Sequence, residues 1–245
     1  MKKKSRRQYF TIVVSGLFAL CLISADVQAA GLFGAPQTVS REAGGLNTAI
    51  GYRYHEDTYE KGPDLRFRQN EIYSQASYGG RNTWEIYGRI GISDLNIADV
   101  FRENETVFTT LGGKAFYPIS EKVGIGALIQ GTYYLNDFTD QVGRSKKIKV
   151  QDLWDVNIGV ALQTALPCGT KLYAGPYLYY SEAELLLSCG VSDLGYTAGK
   201  FSIHNKLNAG GFAGLDLPLA KGFRLNVEGQ YADRFSAGAA VSYTY

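Results

Sequence analysis

The sequence predicts an all-β protein, a closed antiparallel transmembrane β-barrel of ten strands, with eight strands as the alternative. Ten segments alternate apolar and polar residues with a period of two, which places the two sets on opposite faces of a strand. The connections between these segments alternate between short and long along the chain, and the last residue, Tyr245, is aromatic. After residue 29 no apolar run approaches the length of a membrane helix, so a membrane location requires a closed barrel.

Residues 1–29 predict a secretory signal peptide. Basic residues gather at positions 2–7, an apolar stretch follows at 10–24, and Val27-Gln28-Ala29 has the small residues of a cleavage site. The apolar stretch is too short to cross a bilayer as a helix. We therefore expect cleavage after Ala29.

The charge balance gives no sign of a nucleic-acid partner. Residues 1–29 contain five basic residues and one acidic residue, so their removal turns the formal net charge of +2 into −2. Residues 30–45 have no sustained period and predict a periplasmic lead-in. The barrel is predicted over residues 46–245.

The first five strands are predicted at residues 47–54, 71–78, 84–93, 107–117 and 123–135. In the first, Ile50 lies on the face opposite Arg53. The second is the least apolar of the ten. The third sets Ile90 opposite Glu85, and the fourth and fifth alternate over more than ten residues each.

The last five strands are predicted at residues 154–163, 171–181, 208–217, 223–231 and 235–245. Val156 and Asp155 lie on opposite faces of the sixth. The seventh contains Pro176, which cannot donate a ladder hydrogen bond. The eighth is rich in glycine, and the ninth sets Val227 opposite Glu228.

Connections of two lengths support a barrel that spans a membrane. Short ones are predicted at 79–82, 118–121, 167–169 and 218–221, and long ones at 56–64, 94–105, 136–149 and 182–205. Outer-membrane barrels have short periplasmic turns, longer outer loops and an even number of strands. A soluble sandwich or lipocalin-like barrel also alternates, but aromatic residues near the strand ends favour the membrane.

The last strand carries a family resemblance. Phe235, Val241, Tyr243 and Tyr245 share a face, opposite small and hydroxylated residues. The strand resembles the closing strand of bacterial outer-membrane barrels, so Tyr243 and Tyr245 are candidates for the insertion signal that the barrel-assembly machinery recognises. The chain looks like the small OmpA, OmpX and opacity-type barrels, without a specific family motif. The resemblance implies a monomer in the outer membrane of a Gram-negative bacterium, in contact with lipid and lipopolysaccharide.

Ten charged residues are predicted to face the lumen, five of each sign. They are Arg53, Arg89, Lys114, Lys171 and Arg224, with Glu71, Glu85, Asp155, Asp216 and Glu228. Buried charges compensate one another when they pair, so a balanced set favours ion pairs across a narrow lumen. A selective pore more often shows an excess of one sign.

The predicted function is therefore a barrel with a packed, ion-paired lumen and a structural or surface-interaction role. The alternative is a narrow, porin-like passive channel for small solutes. A third is an outer-membrane hydrolase of the omptin or lipid A-modifying type. The sequence favours no enzyme, because His55 is expected in a polar rim loop and Ser202 precedes His204. It predicts no cofactor and no metal site.

Two features of the predicted outer loops suggest contacts. Arg144, Lys146 and Lys147 are candidates for binding lipopolysaccharide phosphates, although a solvated charge run has the same composition. Residues 185–187, three leucines, are unusual in a loop. They are expected to extend a strand, fold into the barrel mouth or contact a partner.

Overall fold

The computed structural model describes residues 32–37, 45–59, 65–80, 83–97, 101–142, 146–188, 198–205, 207–220, 222–232 and 235–245. The described residues form twelve strands. They are β1 (Gly45–Tyr59), β2 (Leu65–Gly80), β3 (Trp84–Ile97), β4 (Phe101–Pro118), β5 (Val123–Tyr134), β6 (Phe138–Val142), β7 (Lys146–Ala165), β8 (Lys171–Leu187), β9 (Gly199–His204), β10 (Asn208–Pro218), β11 (Phe223–Tyr231) and β12 (Phe235–Thr244). The predicted signal peptide lies outside the described residues.

Ten of these strands close into an antiparallel barrel. The closing seam joins β1 to β12, from Asn47 opposite Thr244 to Tyr54 opposite Ala237. The circuit then runs β1-β2-β3-β4-β5-β7-β8-β10-β11-β12, and β7 pairs with β8. The all-β class and the count of ten are confirmed. Because the circuit is closed, neither edge of the sheet is left unpaired along the seam.

β6 and β9 extend the barrel at its outer end. β6 pairs with β7, as β5 does, and β9 pairs with β8, as β10 does. The four long connections were predicted too long, because residues 56–59, 94–97 and 101–105 and much of 136–149 and 182–205 lie in strands. Outside lipid the outward face can be polar, so period-two hydrophobicity fades while the hydrogen-bonded ladder continues.

Side chains alternate between the lumen and an apolar outer belt. In β3, exposed and buried residues alternate from Trp84 to Ile90. Ile50 is 67% exposed and Leu111 75% exposed, and both point outward. Aromatic residues on the same outer surface are Tyr52, Tyr78, Trp84, Tyr117, Tyr133, Tyr231 and Tyr245. A belt of this kind is solvated by lipid, with aromatic side chains at the two interfaces.

Residues near the carboxy-terminus form an aromatic group at the end of the barrel where the chain enters. The Tyr243 ring lies 4.8 Å from Phe223 and 4.9 Å from Tyr245, measured between centroids. The Tyr245 N–H donates to the carbonyl of Leu46 in β1. Among the described residues, no helix combines the length and the apolar character needed to cross a membrane.

The short turns lie at the same end as Gly45 and Tyr245. They connect β2 to β3, β4 to β5, β7 to β8 and β10 to β11, as the sequence predicts. Cys168 is exposed in the turn between β7 and β8. Hydrogen bonding with the side chain and backbone of Thr170 lowers the pKa of its thiol, which favours the reactive thiolate.

This topology predicts where Cys168 can be labelled. In a Cys189→Ser background, an impermeant maleimide added to intact cells should leave Cys168 unmodified, because short turns face the periplasm. Permeabilising the outer membrane should allow modification, measured by mass spectrometry. Equal labelling of intact and permeabilised cells would mean that the barrel has the opposite orientation.

Candidate functional site: the barrel lumen

The structure brings all ten predicted lumen charges inside the barrel. Seven of them are buried: Arg53, Glu71, Glu85, Arg89, Asp155, Asp216 and Glu228. Lys114, Lys171 and Arg224 are partly buried. Each lies on the face of its strand opposite the lipid belt, because the period-two alternation holds through the middle of the barrel.

The ion pairs join neighbouring strands. Arg53 on β1 lies directly opposite Glu71 on β2, and Arg53 Nη2 is 2.6 Å from Glu71 Oε1. Lys114 pairs with Glu85 in the same way across β4 and β3, at 3.9 Å. Arg224 pairs with Asp216 at 2.9 Å. The sequence favoured ion pairs across the lumen, whereas these three pairs form between adjacent strands, where a partner lies within reach without crossing the interior.

An amino-terminal segment, Leu32 to Gln37, occupies the lumen. Leu32 is 2% exposed and Phe33 0% exposed. The sequence predicted a periplasmic lead-in over residues 30–45, whereas the structure places these six residues inside the barrel. We call residues 32–37 the lumen segment.

Glu228 is the main polar anchor of the lumen segment. Its carboxylate accepts hydrogen bonds from the N–H of Phe33 at 2.9 Å and from the N–H of Gly34 at 2.8 Å. The hydroxyl of Tyr173 and the amide of Gln230 also donate to it, at 2.8 and 2.6 Å. The carboxylate is thus stabilised by four donors in the lumen, and none of the ion pairs among the described residues includes it.

Three further contacts hold the lumen segment along its length. Arg89 Nη2 donates to the carbonyl of Leu32 at 2.8 Å, and Lys114 Nζ lies 3.4 Å from the carbonyl of Ala35. Gln163 accepts from the N–H of Gln37 at 3.0 Å, and its amide donates to the Gln37 side chain at 3.1 Å. These donors and acceptors satisfy main-chain groups that the segment cannot pair with a strand.

Glycines in the wall make room for the lumen segment. A Cβ at Gly126 would lie 2.3 Å from Cβ of Pro36, and one at Gly238 would lie 2.7 Å from Cδ1 of Leu32. At Gly159 it would lie 3.3 Å from the Phe33 ring. Distances this short exclude larger residues unless the segment moves, so the wall is shaped to the segment.

A polar layer lies beyond the lumen segment, toward the outer end. Tyr134 donates to Glu71 at 2.6 Å and supports its pair with Arg53. Asp57 accepts from Tyr179 at 2.8 Å and from the amide of Asn205 at 3.4 Å. These contacts join β1 to β8 and to the residue that follows β9.

His55 lies in this polar layer. The sequence predicted a rim loop for His55, but β1 continues to Tyr59 and the His55 side chain is 2% exposed. Nε2 of His55 lies 3.5 Å from the Tyr179 hydroxyl. The rim assignment was therefore wrong.

An apolar cap fills the outer end. Its members are 0–3% exposed and come from nine strands: Tyr59, Phe67, Leu95, Ile97, Phe108, Tyr134, Phe138, Ile148, Val150, Leu153, Ala183, Leu185, Leu187 and Ile203. Of the three expectations for residues 185–187, extension of a strand is correct, because β8 continues through Leu187. Inward alternation then brings Leu185 and Leu187 into the cap.

The candidate lipopolysaccharide contacts are only partly described. Arg144 lies outside the described residues, and only the backbone of Lys146 is described. Lys147 is exposed on β7, and its N–H donates to Ser188. Within the described residues no cluster of three His, Cys, Asp or Glu side chains has the arrangement of a metal site.

Comparison with known proteins gives remote similarity only. No family model and no curated protein matches the sequence. Similar solved structures include the translocator domain of autotransporter NalP from Neisseria meningitidis, at 12% identity and a TM-score of 0.45 over 98% of this chain and 97% of that one. The transport unit of the autotransporter AIDA-I from Escherichia coli has 8% identity and a TM-score of 0.45 over 84% and 90%. Ail of Yersinia pestis has 11% and 0.30 over 84% and 100%.

At these identities and TM-scores the similarities add nothing to the fold that the strand register establishes. The deciding observation is a closed circuit of ten strands inside an apolar belt. The chain is a closed antiparallel β-barrel with an apolar outer surface. In lipid only a helix or a closed sheet leaves no backbone group unpaired. Closed barrels with an apolar outer band are the architecture of outer-membrane proteins.

The buried Arg53–Glu71 pair predicts a large loss of stability when it is broken. Glu71→Ala leaves the Arg53 guanidinium buried without its carboxylate, and we expect the free energy of unfolding to fall by about 3–5 kcal/mol. Urea unfolding in detergent micelles measures the change. The matched control is Lys200→Ala, which removes one member of the exposed Lys200–Glu184 pair and should leave the unfolding midpoint unchanged. Equal midpoints for the two variants would contradict a structural role for the buried pair.

Proposed function

We propose that the protein is a non-conducting outer-membrane barrel with a structural or surface-interaction role. The observation that carries the proposal is the apolar cap, whose side chains are almost wholly inaccessible to solvent. A water-filled channel needs a continuous polar path, and desolvating an ion in an apolar constriction is costly.

Packing in the half of the lumen nearest the short turns supports the same proposal. The lumen segment occupies the space that a solute would cross, with Phe33 against Phe212 at 4.9 Å between ring centroids. The cavity left between segment and wall has a volume of about 60 Å³. That is room for a few water molecules, because a cavity measured in this way holds one water in about 10–15 Å³.

The proposal predicts the electrical behaviour of the purified protein. Folded protein added to a planar bilayer should produce no steady conductance steps, because both halves of the lumen are filled. A mock preparation from cells that lack the protein serves as the control for contaminating porins. Steady, reproducible steps from the folded sample alone would favour the alternative, a narrow passive channel.

The outer surface supports a role at the cell exterior. β6, β9 and the outer ends of β7 and β8 form an extension whose inward residues belong to the apolar cap, and Lys147 and Lys200 are exposed on it. We propose that this extension lies among lipopolysaccharide molecules, with Arg144, Lys146 and Lys147 near their phosphates. We also propose that the protein acts as a monomer and that the barrel-assembly machinery inserts it by recognising Tyr243 and Tyr245.

A hydrolase is a second candidate, and one observation favours it. Glu182 on β8 lies opposite His204 on β9, and the hydroxyl of Ser202 donates to Glu182 at 3.4 Å. The three side chains share an outer surface, where a serine, a base and a carboxylate have the composition of a nucleophilic site.

Ester hydrolysis separates this candidate from the main proposal. Folded protein in detergent is incubated with a fluorogenic fatty-acid ester, and the rate is compared with that of Ser202→Ala and of Ser188→Ala, a serine outside the group. We expect all three rates to equal the detergent blank. A rate that Ser202→Ala abolishes and Ser188→Ala retains would replace the structural role with catalysis.

A further inference from the structure

The periplasmic half of the lumen has the features of a binding site for a peptide. We propose that it is a peptide-binding groove, which accepts a segment entering from the periplasm that carries a bulky apolar residue followed by a glycine at which the backbone turns. In this structure the lumen segment of the same chain occupies it. This goes beyond a closed barrel, because a groove of this kind exchanges one occupant for another.

Main-chain recognition is the first argument. Glu228 binds two consecutive N–H groups, those of Phe33 and Gly34. Arg89 donates to the carbonyl of Leu32, and Lys114 lies within hydrogen-bonding distance of the carbonyl of Ala35. Every peptide carries these groups, so the charged side chains recognise the path of the backbone rather than one sequence. Sheet-edge peptide sites obtain affinity from the main chain in the same way.

Side-chain selection is the second argument. Phe33 packs on Phe212 and on Tyr177, with centroid distances of 4.9 and 6.1 Å. Gly159 leaves the space that the ring fills. This pocket favours a bulky apolar side chain, and aromatic pairs add to the stabilisation from burial alone.

The position after the pocket favours glycine. Gly34 has a φ of +74°, a conformation that residues with a Cβ rarely adopt. A Cβ there would also lie 3.1 Å from Lys114 Nζ. The groove therefore has two specificity positions, a bulky apolar residue and the glycine that follows it.

The tether explains why the chain's own segment occupies the groove. Residues 38–44 connect it to β1, a link of only seven residues. A short linker gives an effective concentration in the millimolar range. A free peptide with the same contacts should therefore bind an intact barrel roughly 100-fold more weakly than a barrel whose tether has been cut.

The test cuts the tether after folding, so that the barrel forms with all native contacts. A recognition sequence for a site-specific protease replaces residues 39–43, and the folded protein in detergent is cleaved. A fluorescent hexapeptide, Leu-Phe-Gly-Ala-Pro-Gln, is then added and its binding followed by anisotropy. Mass spectrometry monitors the native fragment, and the mobility of unboiled protein on a denaturing gel verifies the fold.

We expect the labelled peptide to replace the fragment in the cleaved barrel and to bind the uncleaved barrel roughly 100-fold more weakly. A peptide with alanine in place of phenylalanine should lose most of its affinity. Glu228→Gln should weaken binding, whereas Asp216→Asn, which removes a lumen carboxylate that contacts Arg224 instead of the segment, should not. A folded, cleaved barrel that releases its fragment without binding the peptide would overturn the proposal, as would a fragment that never exchanges.

Discussion

A backbone in lipid has to satisfy its hydrogen bonds within the protein, and the rest of this structure depends on that constraint. The pairing of β1 with β12 completes the circuit and removes the last open edge. Closure then fixes which side chains face inward. In the half nearest the short turns, glycines stand in the wall where larger side chains could have filled the lumen. The side chains of ten strands therefore leave space there, and the lumen segment fills it.

The interior is filled by three kinds of contact, which follow one another along the barrel axis. The outer end is filled by apolar side chains, as in a soluble core. The middle holds charges compensated by neighbours, as in the pair of Arg53 and Glu71 at 2.6 Å. The periplasmic half takes in a piece of the chain itself, whose main-chain groups are satisfied by Glu228, Arg89 and Gln163. Each solution leaves few polar groups uncompensated, the condition for burying them.

The sequence was sufficient for the strands in the membrane and for the direction of their side chains. Lipid on one face and a polar lumen on the other impose an alternation that each segment carries locally, as Ile90 and Glu85 do on β3. The prediction from the sequence failed for residues beyond the apolar belt. His55 and Asp57 continue the inward set, but Glu56 between them is also buried, so the alternation disappears. The sequence also did not predict which charges pair, because the contact between Arg224 and Asp216 depends on the register of β10 and β11.

The lumen segment was not predicted, because its contacts, such as that of Phe33 with Glu228, join residues 195 positions apart. The signal available was Leu32-Phe33-Gly34, an apolar run in a segment otherwise expected to be solvated.

The contact between the first and last parts of the chain has a consequence for biogenesis. Leu32 packs on Gly238 of the final strand, and Phe33 binds Glu228 of the one before it. The interior can therefore be completed only by a polypeptide that has been exported to its end. A chain that stops before the last two strands lacks both the seam and the Glu228 anchor, and leaves strand edges unpaired and the apolar residues Leu32 and Phe33 without their partners. Packing in the lumen thus depends on synthesis of the last two strands.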